Sequence, residues 1–503
     1  MAPHARPATV RRRLACRAMW MIGRLIPQTS GLIPAEVWLC ILRGSSNLSG
    51  PSNSPGDRIP FRAVYPIIPG RVTPHRKKPT HGVTWFYGRP RNIVGRTRKA
   101  GEPEDHRGWQ GMMRETMKET SYRTLGRLPI LGLLALVLPA AGCGILPDRT
   151  LSGPASQVIR EGFDGIPRTR YGCYAAAIPG MTFLGSKLGS HNYHGPFFEK
   201  DGIAYTCRGG HIDITHLRIG IDWTAYLVAE SYRHLMRNDP SFSCKMPVDR
   251  SRTHVHITYP FGWDCLSEED RSAIAERIAL ALGPYLTFTM VSWHEITTWY
   301  GYKCIGLPVE YDSAFSWEDS YSNLLGTMIA VRALQDAEHS YNKAVTIAID
   351  EEMQRLGVLP SAGQARLASK SMKGQWYTGI FLLLFDMKKR NFDIGLDDGD
   401  MTPTLVPHVP QCPRAEPQSY PVPTLDVLAE YGFSVTIEIE PREWEKDKIL
   451  RVVFGNDPQK RINPQTHLAI IMDHIQQEAA AKYGPEYNPG NRLHEPQYVQ
   501  TGR

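Results

Sequence analysis

The stretch Gly209-Gly210-His211-Ile212-Asp213-Ile214-Thr215-His216-Leu217-Arg218 gathers two imidazoles, a carboxylate and a guanidinium. If a helix begins near Asp213, then Asp213 and His216 share a face at i, i+3. If His211–Asp213 is extended, those two share a face instead. A carboxylate and an imidazole so placed can hold a divalent metal together, or the carboxylate can orient the imidazole as a general base. The competing assignment makes Asp213 a helix cap and His216 an ordinary, partly buried histidine.

A second group is Trp293-His294-Glu295, followed by Trp299-Tyr300. Adjacent helical residues point about 100° apart, so one metal takes one of His294 and Glu295 and leaves the other free for proton transfer. Apolar, aromatic surroundings raise a glutamate's pKa toward the proton-transfer range. The third group runs from Ser313 through Ser316, Glu318, Asp319 and Ser322 to Asn323. Ser316 followed by Asp319 approximates a capping box, which accounts for Asp319 better than for Glu318. The expected centre is therefore a divalent metal, zinc by preference, on Asp213, His216 and His294. Glu295 or Glu318 acts as general base for a bound water, and Arg218 is a further catalytic group. His211, Asp319 and Asn323 are secondary candidates.

Several alternatives are weaker. His254-x-His256 on a strand can bind zinc, but a sole pair carries little weight. Asp393, Asp397, Asp398 and Asp400 suggest calcium, yet Thr404 stands where a calcium loop needs its final glutamate. Gly180-x4-Gly185-Ser186-Lys187 has serine and lysine reversed relative to a phosphate loop, so nucleotide hydrolysis is excluded. No G-x-S-x-G elbow occurs, and His294-Glu295 is not followed by the second histidine of H-E-x-x-H. A cysteine hydrolase using Cys207 or Cys304 with a histidine such as His211 is a further possibility. The main rival to a hydrolase is a non-catalytic protein that binds a ligand or partner on an aromatic-rich surface.

Three phrases together resemble an uncharacterised bacterial envelope and lipoprotein family, a domain of unknown function, over about residues 160–410. They are Asp213-x-x-His216-x-Arg218; Trp293-His294-Glu295 with Thr298-Trp299-Tyr300-Gly301; and Ser313-Ala314-Phe315-Ser316 with Glu318-Asp319 and Tyr321-Ser322-Asn323-Leu324-Leu325-Gly326. The resemblance implies no activity, so function rests on the residues themselves.

The elements that must position these groups follow from apolar spacing and punctuation. His216–Arg237 has a helical rhythm. His254–Tyr259 alternates as a strand. A helix begins at Ser267, with Asp270 completing an approximate capping box, and Gly283-Pro284 is expected to stop it. A second helix covers Leu286–Tyr300, and Ser316 opens a third. Phe433–Glu440 and Ile449–Phe454 are expected to pair as strands. The fold class is α+β, with a helix-dominated central domain carrying short strands (157–400). A small β-containing C-terminal part (401–485) and a loose tail (486–503) follow.

Upstream, Leu128–Cys143 is a short apolar run preceded by Lys118, Arg123 and Arg127 and ending Ala140-Ala141-Gly142-Cys143. This is the layout of a secretory signal, and its end resembles a bacterial lipobox in which Cys143 is lipidated. The run is shorter than the ~20 residues that span a bilayer. Starting at Met117 gives a signal of ordinary length, 117–142, followed by a tether, 143–156. Residues 1–116 hold 20 basic and 6 acidic side chains, a net of +14, whereas 117–503 hold 38 and 44, a net of −6. The front segment is thus expected to be a non-native, disordered upstream extension and not a nucleic-acid arm, and no nucleic-acid partner is expected. Six cysteines follow Cys143 with no C-x-x-C pair, which permits up to three disulfides in an exported chain. The expected location is the cell envelope, on the periplasmic face of the outer membrane if the source is Gram-negative, with the lipid on Cys143 making the membrane contact. Protein partners are not specified by the sequence. Expressed from Met117, the protein should label with palmitate and fractionate with membranes, and Cys143→Ser should abolish the labelling. An unlabelled wild type would remove the anchor.

Overall fold

Asp213 is where strand turns into helix, and the rest of the site is arranged around that junction. In the computed structural model, which describes residues 151–303, 310–380 and 385–487, strand β1 (Ile203–Thr206) pairs antiparallel with β2 (Gly210–Asp213), setting Ile203 opposite Asp213. The tight return needs Gly210 at φ +68°, where a Cβ would meet the Thr404 carbonyl oxygen at 2.3 Å. Helix α1 (Ile214–Met236) then starts at once, capped by the Asp213 side chain on the Thr215 N–H. The expected helical rhythm from His216 is this helix.

Strands β3 (Ser241–Cys244) and β4 (Arg252–Thr258) follow, then helix α2 (Glu268–Trp299), helix α3 (Asp319–Leu334), helix α4 (Tyr341–Arg355) and helix α5 (Ala362–Ser371). The short strands β5 (Tyr377–Gly379) and β6 (Phe385–Met387) pair with each other. Strand β7 (Ser434–Glu440) adds to the open edge of β4, giving the order β3-β4-β7. Helices α6 (Lys446–Phe454) and α7 (Pro464–Tyr483) complete the described chain. The result is an α+β fold with a helix-dominated core and small antiparallel sheets. The described residues belong to one compact unit.

Two sequence expectations are corrected. Gly283-Pro284 does not end a helix, because α2 runs through it. Gly283 is pressed against α1, where a Cβ would lie 2.4 Å from a Val228 methyl, and tertiary packing outweighs the local signal. Ile449–Phe454 is helical and not a strand, since α6 buries Ile449 from one face while the β4 edge is filled by β7. The start of α2 agrees with expectation. Ser267 Oγ accepts from the Asp270 N–H at 3.0 Å, and Glu268, Glu269 and Asp270 complement the helix dipole. Among the described helices, α2 alone is long and apolar enough to cross a membrane, and it is mostly buried in the core. The basic front segment (1–116), the signal (117–142), Cys143 and the tail beyond 487 lie outside the described residues, as does Cys304.

The core joins α1, α2 and α3. Leu217, Ile221, Ile278, Leu282, Ile296, Leu324 and Leu325 are fully buried. Helices α1 and α3 cross at glycines. A Cβ on Gly326 would fall 2.2 Å from the Leu217 carbonyl oxygen, and one on Gly220 would fall 2.6 Å from that of Asn323. This contact brings the first turns of both helices to the same place. Gly326→Ala should therefore lower the unfolding free energy by about 3 kcal/mol, at the upper end of overpacking costs. Gly363→Ala, on exposed α5 with only an ordinary contact to Ser361, should raise it by about 0.5–1 kcal/mol. Denaturant unfolding measures both. A neutral Gly326→Ala would refute the close crossing.

Candidate metal centre

Three elements meet at one cluster. The fully buried Asp213 offers two oxygens. Its Oδ1 accepts from the Thr215 N–H at 2.7 Å, and its Oδ2 accepts from the Cys173 N–H at 2.7 Å. The same Oδ2 lies 2.7 Å from Nδ1 of His216, in the first turn of α1. Asp319, the first residue of α3, approaches that Nδ1 from the other side at 3.0 Å. One ligand atom from each of Asp213, His216 and Asp319 lies within 4.8 Å of the others, and among the described residues this group is the candidate for holding a metal ion. The chain at Gly172 lies against the imidazole, where a Cβ would come 2.2 Å from Cε1 of His216. Only glycine fits there.

Two further carboxylates surround the cluster. Glu295 on α2 accepts the Phe315 N–H on Oε2 at 2.6 Å, and Glu318 accepts the Ala175 N–H on Oε1 at 2.6 Å. Burial, and then the charge of Asp319, pushes Glu295 up to about 6. The same two causes push Glu318 well above the usual carboxylate range. At His216, burial opposes the imidazolium, but Asp319 and Asp213 outweigh it and hold the ring well above the ordinary histidine range. Four buried carboxylates are thus gathered here, and two of them, Asp213 and Asp319, reach the imidazole. His216, Glu295, Asp319 and Asn323 line a cavity of about 140 Å³. Asn323, one turn beyond Asp319, is 2% exposed, and its buried Oδ1 has no hydrogen-bond partner among the described residues.

The sequence-derived candidates separate as follows. Asp213 and His216 come together as expected. Asp319 takes the third position, because α3 begins beside the start of α1. His294 lines the same cavity, but its Nδ1 is bonded to Asp249 at 2.7 Å. Burial works against its charge, yet Asp249 raises it to about 9. Glu295 lines the cavity. Glu318 is buried beside Asp319 and is not among the lining residues.

Arg218 is not catalytic in this arrangement. It is fully buried, and its guanidinium donates to the carbonyls of Leu188 and Lys200 at 3.0 and 2.9 Å. His211 is also elsewhere, near Trp317 and the Ala365 carbonyl, and burial pushes it down to about 3, so it is a neutral core histidine. Cys207 cannot be a nucleophile because it forms a disulfide with Cys412. His254 and His256 pair with Glu440 and Glu438 across the sheet and do not join a metal group. Asp393 closes a turn through the N–H groups of Gly395 and Thr402.

Sequence reading missed Gly172, Cys173 and Asp249. Each acts through a loop backbone or a long-range contact, which leaves no periodic trace. Asn323 and Asp319 had a signal, their i, i+4 spacing on one helical face, but capping explained Asp319 locally. No curated protein and no solved structure matches the chain. Residues 185–402, which supply every side chain of the cluster, match the family described as a protein of unknown function (DUF4056).

Proposed function

We propose that this protein is a divalent-metal-dependent hydrolase of the bacterial envelope, anchored by lipid on Cys143. The observation that carries the reading is the convergence of Asp213, His216 and Asp319 at an open cavity within a surplus of buried carboxylates. Buried charge of one sign is costly unless it is neutralised, and a divalent cation neutralises it while using the same three donors. Zinc suits this mixed nitrogen and oxygen set. The ion supplies Lewis-acid polarisation of the scissile carbonyl.

The chain's own groups do the rest. Glu295 takes a proton from the attacking water, whose oxygen bonds to the carbonyl carbon. The bond from that carbon to the leaving atom breaks, and Glu295 returns the proton to the leaving atom. A carboxyl held near 6 by burial is matched to that exchange around neutral pH. The Phe315 N–H fixes the other task of this side chain, its orientation. Export is supported by the Cys207–Cys412 disulfide, which joins residues 205 apart in sequence, and by the disulfide at Cys265.

One observation favours a non-catalytic binding protein instead. His216 Nδ1 lies 2.7 and 3.0 Å from its two carboxylates. Those are hydrogen-bond separations, shorter than the about 3.3 Å between two ligands on tetrahedral zinc at ~2.0 Å. Elemental analysis of the purified full chain separates the two readings. The hydrolase reading expects about one equivalent of metal in wild type and in Glu295→Gln. It expects at least a tenfold loss in Asp213→Asn, which keeps a capping oxygen, and in Asp319→Asn. A wild type that retains no metal after loading with zinc would leave the binding-protein reading.

A further inference from the structure

The cavity has two chemically distinct ends, and the helix geometry shows why. Helices α1 and α2 are antiparallel. Tyr232 Oη lies 2.8 Å from Ser272 Oγ, and Val228 stands against Gly283. Moving equally far along both helices from Val228 and Gly283 brings His216 and Glu295 level with each other. One turn away, about 5 Å, Ile219 follows His216 on α1 and Val291 precedes Glu295 on α2. In an antiparallel pair those two steps go the same way. Both residues line the cavity, and Met246 and Val248, from the loop between β3 and β4, line it as well.

That loop is fixed. The Val248 carbonyl accepts from Tyr302 Oη at 2.5 Å, and Asp249 holds His294. The aliphatic end is therefore a preformed wall. Among the described lining residues it offers no available cation to an anionic tail, since Arg170 is engaged by Glu199 and Asp222 and His294 by Asp249. The volume, about 140 Å³, is close to the ~150 Å³ apolar cavity that accepts benzene. It has room for a short chain.

A second observation concerns Asn323. It lines the cavity, and its buried Oδ1 has no donor among the described residues. A buried acceptor left without a partner costs about 1–3 kcal/mol, and an N–H group on a bound molecule relieves that cost.

Resting on the metal-hydrolase reading, we infer that the substrate is an amide of a short, uncharged aliphatic acid. Its acyl chain lies on Ile219, Met246, Val248 and Val291, and its N–H donates to Asn323. Hydrolysis breaks the carbonyl carbon–nitrogen bond. Water's oxygen goes to the carbon, its proton goes to nitrogen by way of Glu295, and the products are a short carboxylic acid and an amine.

Alkyl hydroxamates from two to eight carbons, each with a metal-binding head and an N–H, probe this with the zinc-loaded full chain by calorimetry. Affinity should rise about fourfold per methylene over the first few carbons and then level off as the cavity fills. Ile219→Ala should shallow the rise, and Val291→Asp should abolish it, with zinc content unchanged in both. Asn323→Leu should weaken every member by a similar factor and leave the slope. A wild type that binds zinc but shows no dependence on chain length overturns this inference alone. A wild type that binds no zinc removes it together with the hydrolase reading. The wild-type series decides the question even if a variant fails to fold.

Discussion

The Asp213 carboxylate satisfies three donors drawn from two distant parts of the chain. It caps α1 through the Thr215 N–H, fixes the 170s loop through the Cys173 N–H, and holds the His216 ring. Its own backbone N–H reaches Ser322 on α3 at 2.9 Å. Strand, loop and two helices are therefore tied at a single residue. Because a fully buried carboxylate tolerates little loss of its donors, the position of His216 is fixed as firmly as the helix start itself. The site is built into the fold, not laid over it.

Such a concentration of buried carboxylates needs an electrostatic explanation. Asp213 is the N-cap of α1, and Asp319 is the first residue of α3. Helix N-termini carry partial positive charge and favour anions within the first turn. The Gly220–Gly326 crossing aims two such ends at one point. Glu295 lies near the C-terminal end of α2, and Glu318, the N-cap residue of α3, makes no cap bond and turns its carboxylate to the Ala175 N–H; these are the two of the four whose carboxyls are pushed upward. Two turns along α1, the charges are matched. There Arg170 and Arg218, with His191, surround Glu199 and Asp222, all with side chains at most 1% exposed. Arg170 reaches from that network to the cavity wall. One helix thus carries an anion-rich cluster at its start and a charge-matched one further on.

The sequence conveyed the parts of this that are local. Ser267 and Asp270 announced the start of α2, and the i, i+3 spacing of Asp213 and His216 put them on one face before any fold was known. What it did not convey depends on distance. Nothing near Gly283-Pro284 indicates that Val228 will press on the glycine and carry the helix through. Arg218 reads as a catalytic cation beside His216, yet on α1 it points to the carbonyls of Leu188 and Lys200. His211 sits two residues before Asp213, where strand alternation alone would give the two one face, yet it packs among Tyr205, Phe183 and Trp317 while the chain turns into α1 at Asp213 and its carboxylate caps that helix. Asp319 was legible as a cap, and it became a third member of the cluster only through the helix crossing.

One point of backbone strain lies beside the same cluster. Phe315 is fully buried and has φ +54°, a left-handed conformation that is unfavourable for a bulky side chain. Such a residue persists only where its surroundings overdetermine it, and here they do. Its carbonyl accepts from the Asn391 N–H at 2.9 Å, and the preceding carbonyl, of Ala314, accepts from Arg390. The Arg390 guanidinium is in turn caged by the rings of Trp299, Tyr311 and Tyr483, at 5.0, 5.5 and 5.7 Å. The turn held in this way directs the Phe315 N–H at Glu295. A glycine at 315 would relax the backbone and ease folding, so the cost of the left-handed phenylalanine is set against what its ring gains on Phe392, 5.3 Å away. Since Phe392 also packs on Trp299, the apolar contacts that retain the strain and the cation that pins the turn belong to one assembly, and its output is the orientation of a single carboxylate at the cavity.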